Sequence, residues 1–181
     1  LAIPGAIDSH VHFDSPGFEF REDFEHGSLA AAHGGVTTVI DMPCTSLPPV
    51  TTLANLHTKL DAIKNRSHVD YALWGGIAGN DFEKEDERSR NIIDLSNEGV
   101  VGFKSYTISG METFSDLTFD QMKLAAELVG KTGKPLAVHA EDKEMILSRM
   151  KNFSIMEMNS WKTYCHARDE HAEAVAINKL I

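Results

Sequence analysis

The sequence predicts an α/β protein built on a parallel sheet, and three observations carry that reading. Short β-rich runs alternate with amphipathic helical stretches along the 181 residues. Successive strand starts lie about 30 to 35 residues apart, the length of one βα unit. No glycine-rich phosphate loop follows the first strand, which weighs against a nucleotide-binding doubly wound sheet and leaves a (β/α)8 barrel as the other closure of the same pattern.

The strands are expected at residues 6–12, 36–42, 69–77, 100–106 and 135–139, and the helices between them at 22–33, 53–65, 84–97 and 118–132. The first, "AIDSHVHF", reads as a buried strand although it carries two histidines. "HGGVTT" and "KTGKP" place glycine just past a helix, where a left-handed C-cap needs it. Thr118 and Asp120 both sit where a helix start accepts a capping oxygen. "GGIAG", after the third strand, is a lone glycine cluster and reads as a turn. A complete barrel needs roughly 250 residues. The chain is therefore expected to hold a partial barrel over 1–181, the first five βα units with their helices.

Composition narrows the partners. Seventeen basic against 27 acidic residues give a net charge of -10, which disfavours nucleic acid and anionic membranes. No run of about 18 apolar residues is present to span a bilayer. Cys44 and Cys165 match no metal or redox spacing and read as reduced thiols of a cytoplasmic protein. The chain starts at Leu1, and no targeting peptide is visible.

Three strand ends carry ligand-type side chains. His10 and His12, two apart on a strand, leave the same face, and paired neutral imidazoles suit a zinc-like cation. Two hydrogen-bonded histidines at a strand end would give the same pattern. Lys104 interrupts the apolar run "VVGFKSYT". Burial favours its neutral amine, which can add to carbon dioxide to form an anionic carbamate. A lysine snorkelling to solvent is the plain alternative. His139 ends the strand in "KPLAVHAED". The combination of the three carries more weight than any one of them, because barrel chemistry gathers at C-terminal strand ends.

The remaining histidines, His26, His33, His57, His68, His166 and His171, fall on helices or loops and read as surface residues. "CHARDEH" spaces His166 and His171 five apart, off a common helical face. "EKEDERSR" reads as a solvated helix face and "IMEM" as packing.

The ordered set "PGAIDSHVHF", "GGVTTVIDMP", "PPVT", "VVGFKSY" and "VHAED" resembles the cyclic amidohydrolases of the amidohydrolase superfamily, the allantoinase, dihydroorotase and hydantoinase group. The resemblance runs along essentially the whole chain. It implies a (β/α)8 TIM barrel of the metal-dependent hydrolase type, with a small β-sandwich lying outside these residues. It also implies two divalent metals, zinc by preference: His10 and His12 at the first, His139 at the second, and a carboxylated Lys104 between them. A further histidine after strand six and an aspartate after strand eight would lie beyond Ile181, so the 181 residues alone are expected to be inactive.

Two departures bear on the substrate. Dihydroorotases usually read His-x-His-x-Arg and carry Asn after "MP"; here those positions are Asp14 and Cys44. Allantoinases match better, including "SLPPV". The expected activity is therefore hydrolysis of a cyclic amide or ureide C–N bond, allantoinase-like, with dihydroorotase as the alternative. Asp14, Thr45 and Ser46 are candidates for lining the substrate pocket. A non-catalytic scaffold homologue is the reading from another class, but such relatives typically lose metal ligands and all four positions are kept here. The full-length enzyme is expected to be a cytoplasmic homo-oligomer.

Overall fold

Among the described residues, six strands, all paired in parallel, lie in two short sheets that share one stretch of chain. The computed structural model describes residues 2–82, 85–153 and 160–181. β1 (Ala6–Val11), β2 (Val36–Asp41) and β3 (Asp70–Leu73) form the first sheet in that order. β4 (Gly75–Gly76), β5 (Phe103–Tyr106) and β6 (Leu136–His139) form the second. The third expected strand is thus cut in two at Trp74. The Trp74 amide donates to the Asp41 carbonyl at 3.0 Å, and the next amide, Gly75, donates to the Gly102 carbonyl at 2.9 Å. One segment leaves β2 and joins β5 within a single residue.

"GGIAG" is accordingly not simply a turn, since its first two glycines are β4. A Cβ on Gly76 would stand 2.5 Å from the Phe114 ring, so the strand passes there only without a side chain.

Helices α1 (Phe24–His33), α2 (Leu53–Ile63), α3 (Glu85–Asn97) and α4 (Phe119–Gly130) make the crossovers, and α5 (Lys143–Met150), α6 (Trp161–Ala167) and α7 (Glu170–Leu180) follow β6. Their starts are capped by Asp23, Thr52, Thr118, Asp142, Ser160 and Asp169 wherever a cap is described. Thr118, rather than Asp120, caps α4, in a reciprocal box with Gln121. Gly35 follows α1 with φ 84°, the left-handed residue the sequence asks for. The start of "EKEDERSR" and all of "IMEM" lie outside the described residues. Within α3, Arg88 departs from the solvated reading: it is buried over the Phe82 ring and donates to the Phe82 carbonyl.

The core lies between the sheets and the crossover helices. Phe24, Leu56, Ile63, Leu95 and Val129 from the helices meet Val39, Leu73 and Phe103 from the strands. Full burial of such side chains stabilises by about 1.5–3 kcal/mol each. β1 differs from its expected burial: the strand is exposed, with Ile7 at 68%. It pairs on one side only, with β2, and among the described residues no layer covers its outer face. β6, the opposite edge, is half-buried and ends in an exposed His139. No described helix is long and apolar enough to cross a membrane.

Beneath the C-terminal end of β1 lies a fully buried ion pair. Asp41, the last residue of β2, meets Lys59 of α2 at 2.6 Å, with both side chains at 0% exposure. The other Asp41 oxygen accepts the Phe13 amide at 2.7 Å. Burial pushes the Asp41 carboxyl up, and the Lys59 ammonium and the Phe13 amide pull against it. Removing one member of such a pair leaves an uncompensated buried charge. Lys59→Met is therefore expected to cost about 3–5 kcal/mol, and Lys59→Met combined with Asp41→Asn to recover most of that loss. Urea denaturation of the two variants beside the parent checks it; equal losses in the single and double variants would contradict it.

Candidate functional site

Of the side chains singled out from the sequence, His10, Lys104 and His139 line one pocket at the strand edge, and His12 stands beside His10. His10 lies on β1 and His12 just past its end, with ring centroids 5.3 Å apart. Lys104 is the second residue of β5, flanked in register by Gly76 and Ala137. His139 closes β6, opposite Tyr106. His10, Lys104 and His139 line one open pocket together with Glu141, Tyr164 and Arg168. The first sheet thus contributes the histidine pair and the second contributes Lys104 and His139. Trp74 bridges them, its indole donating to the Ser9 carbonyl at 3.1 Å.

The local electrostatics favour neutral nitrogen. Burial lowers the His12 imidazole, and the neighbouring His10 adds to the effect. His10 is lowered first by burial and then by the Lys104 charge. Lys104 is itself 4% exposed, and desolvation lowers its ammonium. No carboxylate stands within ion-pair distance of it among the described residues. These shifts run in the direction that nitrogen ligands and an amine nucleophile require. Among the described residues, no three His, Cys, Asp or Glu side chains form a ready metal cluster. The donor set fits a divalent cation through imidazoles on either side of Lys104, provided that the lysine supplies an anionic oxygen.

The pocket-lining candidates fall in different places. Thr45 Oγ1 lies 3.2 Å from His12 Nδ1. Asp14 is buried directly after the histidine pair, with one carboxylate oxygen lacking a hydrogen-bond partner. Ser46 is fully buried and donates to the Pro43 carbonyl at 3.4 Å, so its hydroxyl is engaged within its own loop. The six remaining histidines are all exposed, as their positions suggest. Both cysteines are free thiols.

Three site residues escaped the sequence reading. Tyr106 stands at the centre: its hydroxyl is 3.1 Å from Cys44 Sγ, its ring 5.3 Å from the His139 ring, and Lys104 Nζ lies 5.1 Å over its face. Burial pushes its phenol up, keeping the hydroxyl protonated. Cys44, fully buried, lies 3.8 Å from His12 Nδ1 and is likewise raised by burial. The signal for Tyr106 was its two-residue offset from Lys104, which puts both on one strand face. Glu141 and Arg168 are the others, and they lie in stretches noticed only for their histidines.

A model described as "Amidohydrolase family" matches residues 1–171. The chain is 42% identical over 146 residues to the allantoinase of Streptomyces avermitilis, covering 78% of this chain and 31% of that protein. It is 36% identical over 182 residues to the allantoinase of Arabidopsis thaliana, covering 100% and 35%. It is 33% identical over 183 residues to the dihydroorotase of Methanosphaera stadtmanae, covering 100% and 39%. Among solved structures it is similar to the L-hydantoinase (dihydropyrimidinase) of Arthrobacter aurescens, at TM-score 0.86 and 29% identity, covering 97% of this chain and 38% of that one. The chain thus spans between 31% and 39% of the lengths of these relatives. The parallel α/β architecture is that of the corresponding part of the amidohydrolase barrel.

The lowered imidazoles have a measurable consequence. His10 and His12 bind protons more weakly folded than unfolded, so acidification below the ordinary value of 6.5 favours the unfolded chain. In chelator-treated protein, stability is expected to fall as pH drops through 6.5 toward the folded values. A His10→Asn/His12→Asn variant should lose less over the same range. Denaturation midpoints of the two proteins, measured from about pH 7 to pH 5, give the comparison; parallel curves would refute it.

Proposed function

The chain belongs to the amidohydrolase family, and on that premise we propose that its protein hydrolyses the C–N bond of a cyclic amide or ureide, with allantoin as the preferred ring. The observation that carries this reading is the convergence of His10, Lys104 and His139 on one pocket with His12 beside His10, where burial lowers His10, His12 and Lys104. On this reading the 181 residues are a partial barrel of five βα units.

His10 and His12 would hold one divalent cation and His139 a second, zinc being a cation that takes such nitrogen and oxygen donors. When bound, such cations supply Lewis acidity toward the ring carbonyl and acidify water. Lys104 contributes as the base of a carbamate. Its neutral amine adds to carbon dioxide, a nitrogen–carbon bond forms, one proton leaves to solvent, and an anionic oxygen donor results. The wall of Tyr106 over Lys104 and the buried Cys44 beside it keep water from the amine. Thr45 braces His12 through its Nδ1.

Asp14 supports the choice of ring. A buried carboxylate there repels an anionic substrate, whereas an arginine would grip it, so a neutral ureide is favoured over dihydroorotate. The relatives point the same way, with allantoinases at 42% and 36% identity and a dihydroorotase at 33%. The acidic balance supports a small-molecule substrate and disfavours polyanions as partners. A cytoplasmic homo-oligomer is the setting this reading carries.

Two measurements test it. Lys104→Ala in the full-length enzyme is expected to lose turnover and to regain part of it with added short-chain carboxylic acid; unchanged turnover would remove Lys104 from the site. Side by side, allantoin should be opened faster than dihydroorotate. The absent charge-assisted contact is worth about 2–5 kcal/mol, or roughly two to three orders of magnitude in rate. Dihydroorotate as the better substrate would reverse the assignment.

A further inference from the structure

The segment that follows β6 is held in place more firmly than a surface loop needs. Thr107, buried at the end of β5, receives the Glu141 amide at 2.9 Å, and its hydroxyl lies 2.7 Å from the Glu141 carbonyl and 3.1 Å from that of His139. The backbone of 139–141 is thereby clamped to the neighbouring strand. Within that clamp, Glu141 Oε2 meets His139 Nε2 at 2.6 Å. The same oxygen meets Arg168 NH1 at 2.5 Å. Arg168 stands at the corner between α6 and α7, its guanidinium 5.2 Å over the Tyr164 ring. The corner itself is anchored by Asp169, which caps α7 and pairs with Arg149 at 2.7 Å. The next residue, Asp142, caps α5 and pairs with Lys179 of α7 at 2.5 Å. Three helices therefore fix where the Glu141 carboxylate lies.

An ionised carboxylate only accepts hydrogen bonds, so the ring nitrogen facing it must carry the hydrogen. A neutral imidazole holds one hydrogen, which leaves the lone pair on the opposite nitrogen. We propose that Glu141, anchored by Arg168, is a positioning residue that locks His139 in its Nε2–H tautomer and so makes Nδ1 the nitrogen available to a cation. This deepens the proposed function and rests on the reading of His139 as a metal ligand. It extends to this chain the general rule that a ligating imidazole donates its other N–H to a carboxylate or carbonyl. It also gives Arg168 and Asp169 of "CHARDEH" a task that the two histidines of that stretch do not have.

The tautomer can be read without any metal. In the full-length protein, treated with chelator and labelled with 15N at histidine, long-range proton–nitrogen correlations should show His139 as the Nε2–H form. Glu141→Leu should give both tautomers in detectable amounts, and Glu141→Gln, which keeps an oxygen acceptor, should restore the single form in part. Arg168→Leu should shift the balance less than Glu141→Leu does. Titration with Co2+ should then show metal binding weakened by about 10–100-fold in Glu141→Leu, the usual effect of removing such a partner. A mixture of tautomers already present in the parent, or an unchanged tautomer in Glu141→Leu, would overturn the proposal. If the tautomer responds but Co2+ binding does not, the positioning role stands and the assignment of His139 as a ligand falls.

Discussion

The arrangement depends first on the buried contact between Asp41 and Lys59. Two opposite charges at 0% exposure and 2.6 Å are costly to desolvate, and their mutual attraction offsets that cost only when the geometry is kept. The geometry here ties three separate segments: the end of β2, the middle of α2, and the amide of Phe13 that follows His12. His10 sits on β1 and His12 just past it, where the Phe13 amide that follows is held by the Asp41 carboxylate. Lys59 also lies 5.6 Å over the Phe24 ring, which couples the same pair to the first crossover helix.

Above that foundation the site is graded in polarity. Behind it lie Met42 and Cys44, both fully or almost fully buried and packed with Tyr106, and at its rim stand His10 and His139, which are exposed. Lys104 and Tyr106 stand between the two, and their position explains why desolvation is the leading cause of each shift. Among the described residues no carboxylate stands at ion-pair distance from this lysine, which lies over the Tyr106 face, a setting in keeping with the proposed use of its amine. The carbamate reading turns the cationic side chain into an anionic one.

Much of this was legible in the sequence because it rests on periodicity and on strand ends. The βα spacing, the caps at Thr118 and Gly35, and the common edge of His10, His12, Lys104 and His139 all follow from local pattern. What was not legible depends on partners distant in the chain. Lys59 looks like any helix lysine until Asp41 is placed against it. Glu141 and Arg168, 27 residues apart, meet only because α6 and α7 fold back over β6. The exposure of β1 was missed because an apolar strand pattern says which face should be covered, not whether a covering layer is present. The division of the third strand had the same origin: "LWGGI" has the length of one strand, and only the sheet reveals that its halves pair with different neighbours.

That division makes Trp74 the pivot of a pair of calipers. The histidine pair is carried on one arm, β1-β2-β3, and Lys104 with His139 on the other, β4-β5-β6. Within each arm, ladder hydrogen bonds hold the donors at fixed spacing. Between the arms, the chain turns at one residue and the Val101 amide donates to the Leu73 carbonyl, with the indole gripping the Ser9 carbonyl and its ring filling the space that a side chain on Gly102 would need. The placement of this residue therefore bears on the span between the two donor groups separately from the spacing within each. The bulk of a single tryptophan is thus the gauge against which the width of the site is cut.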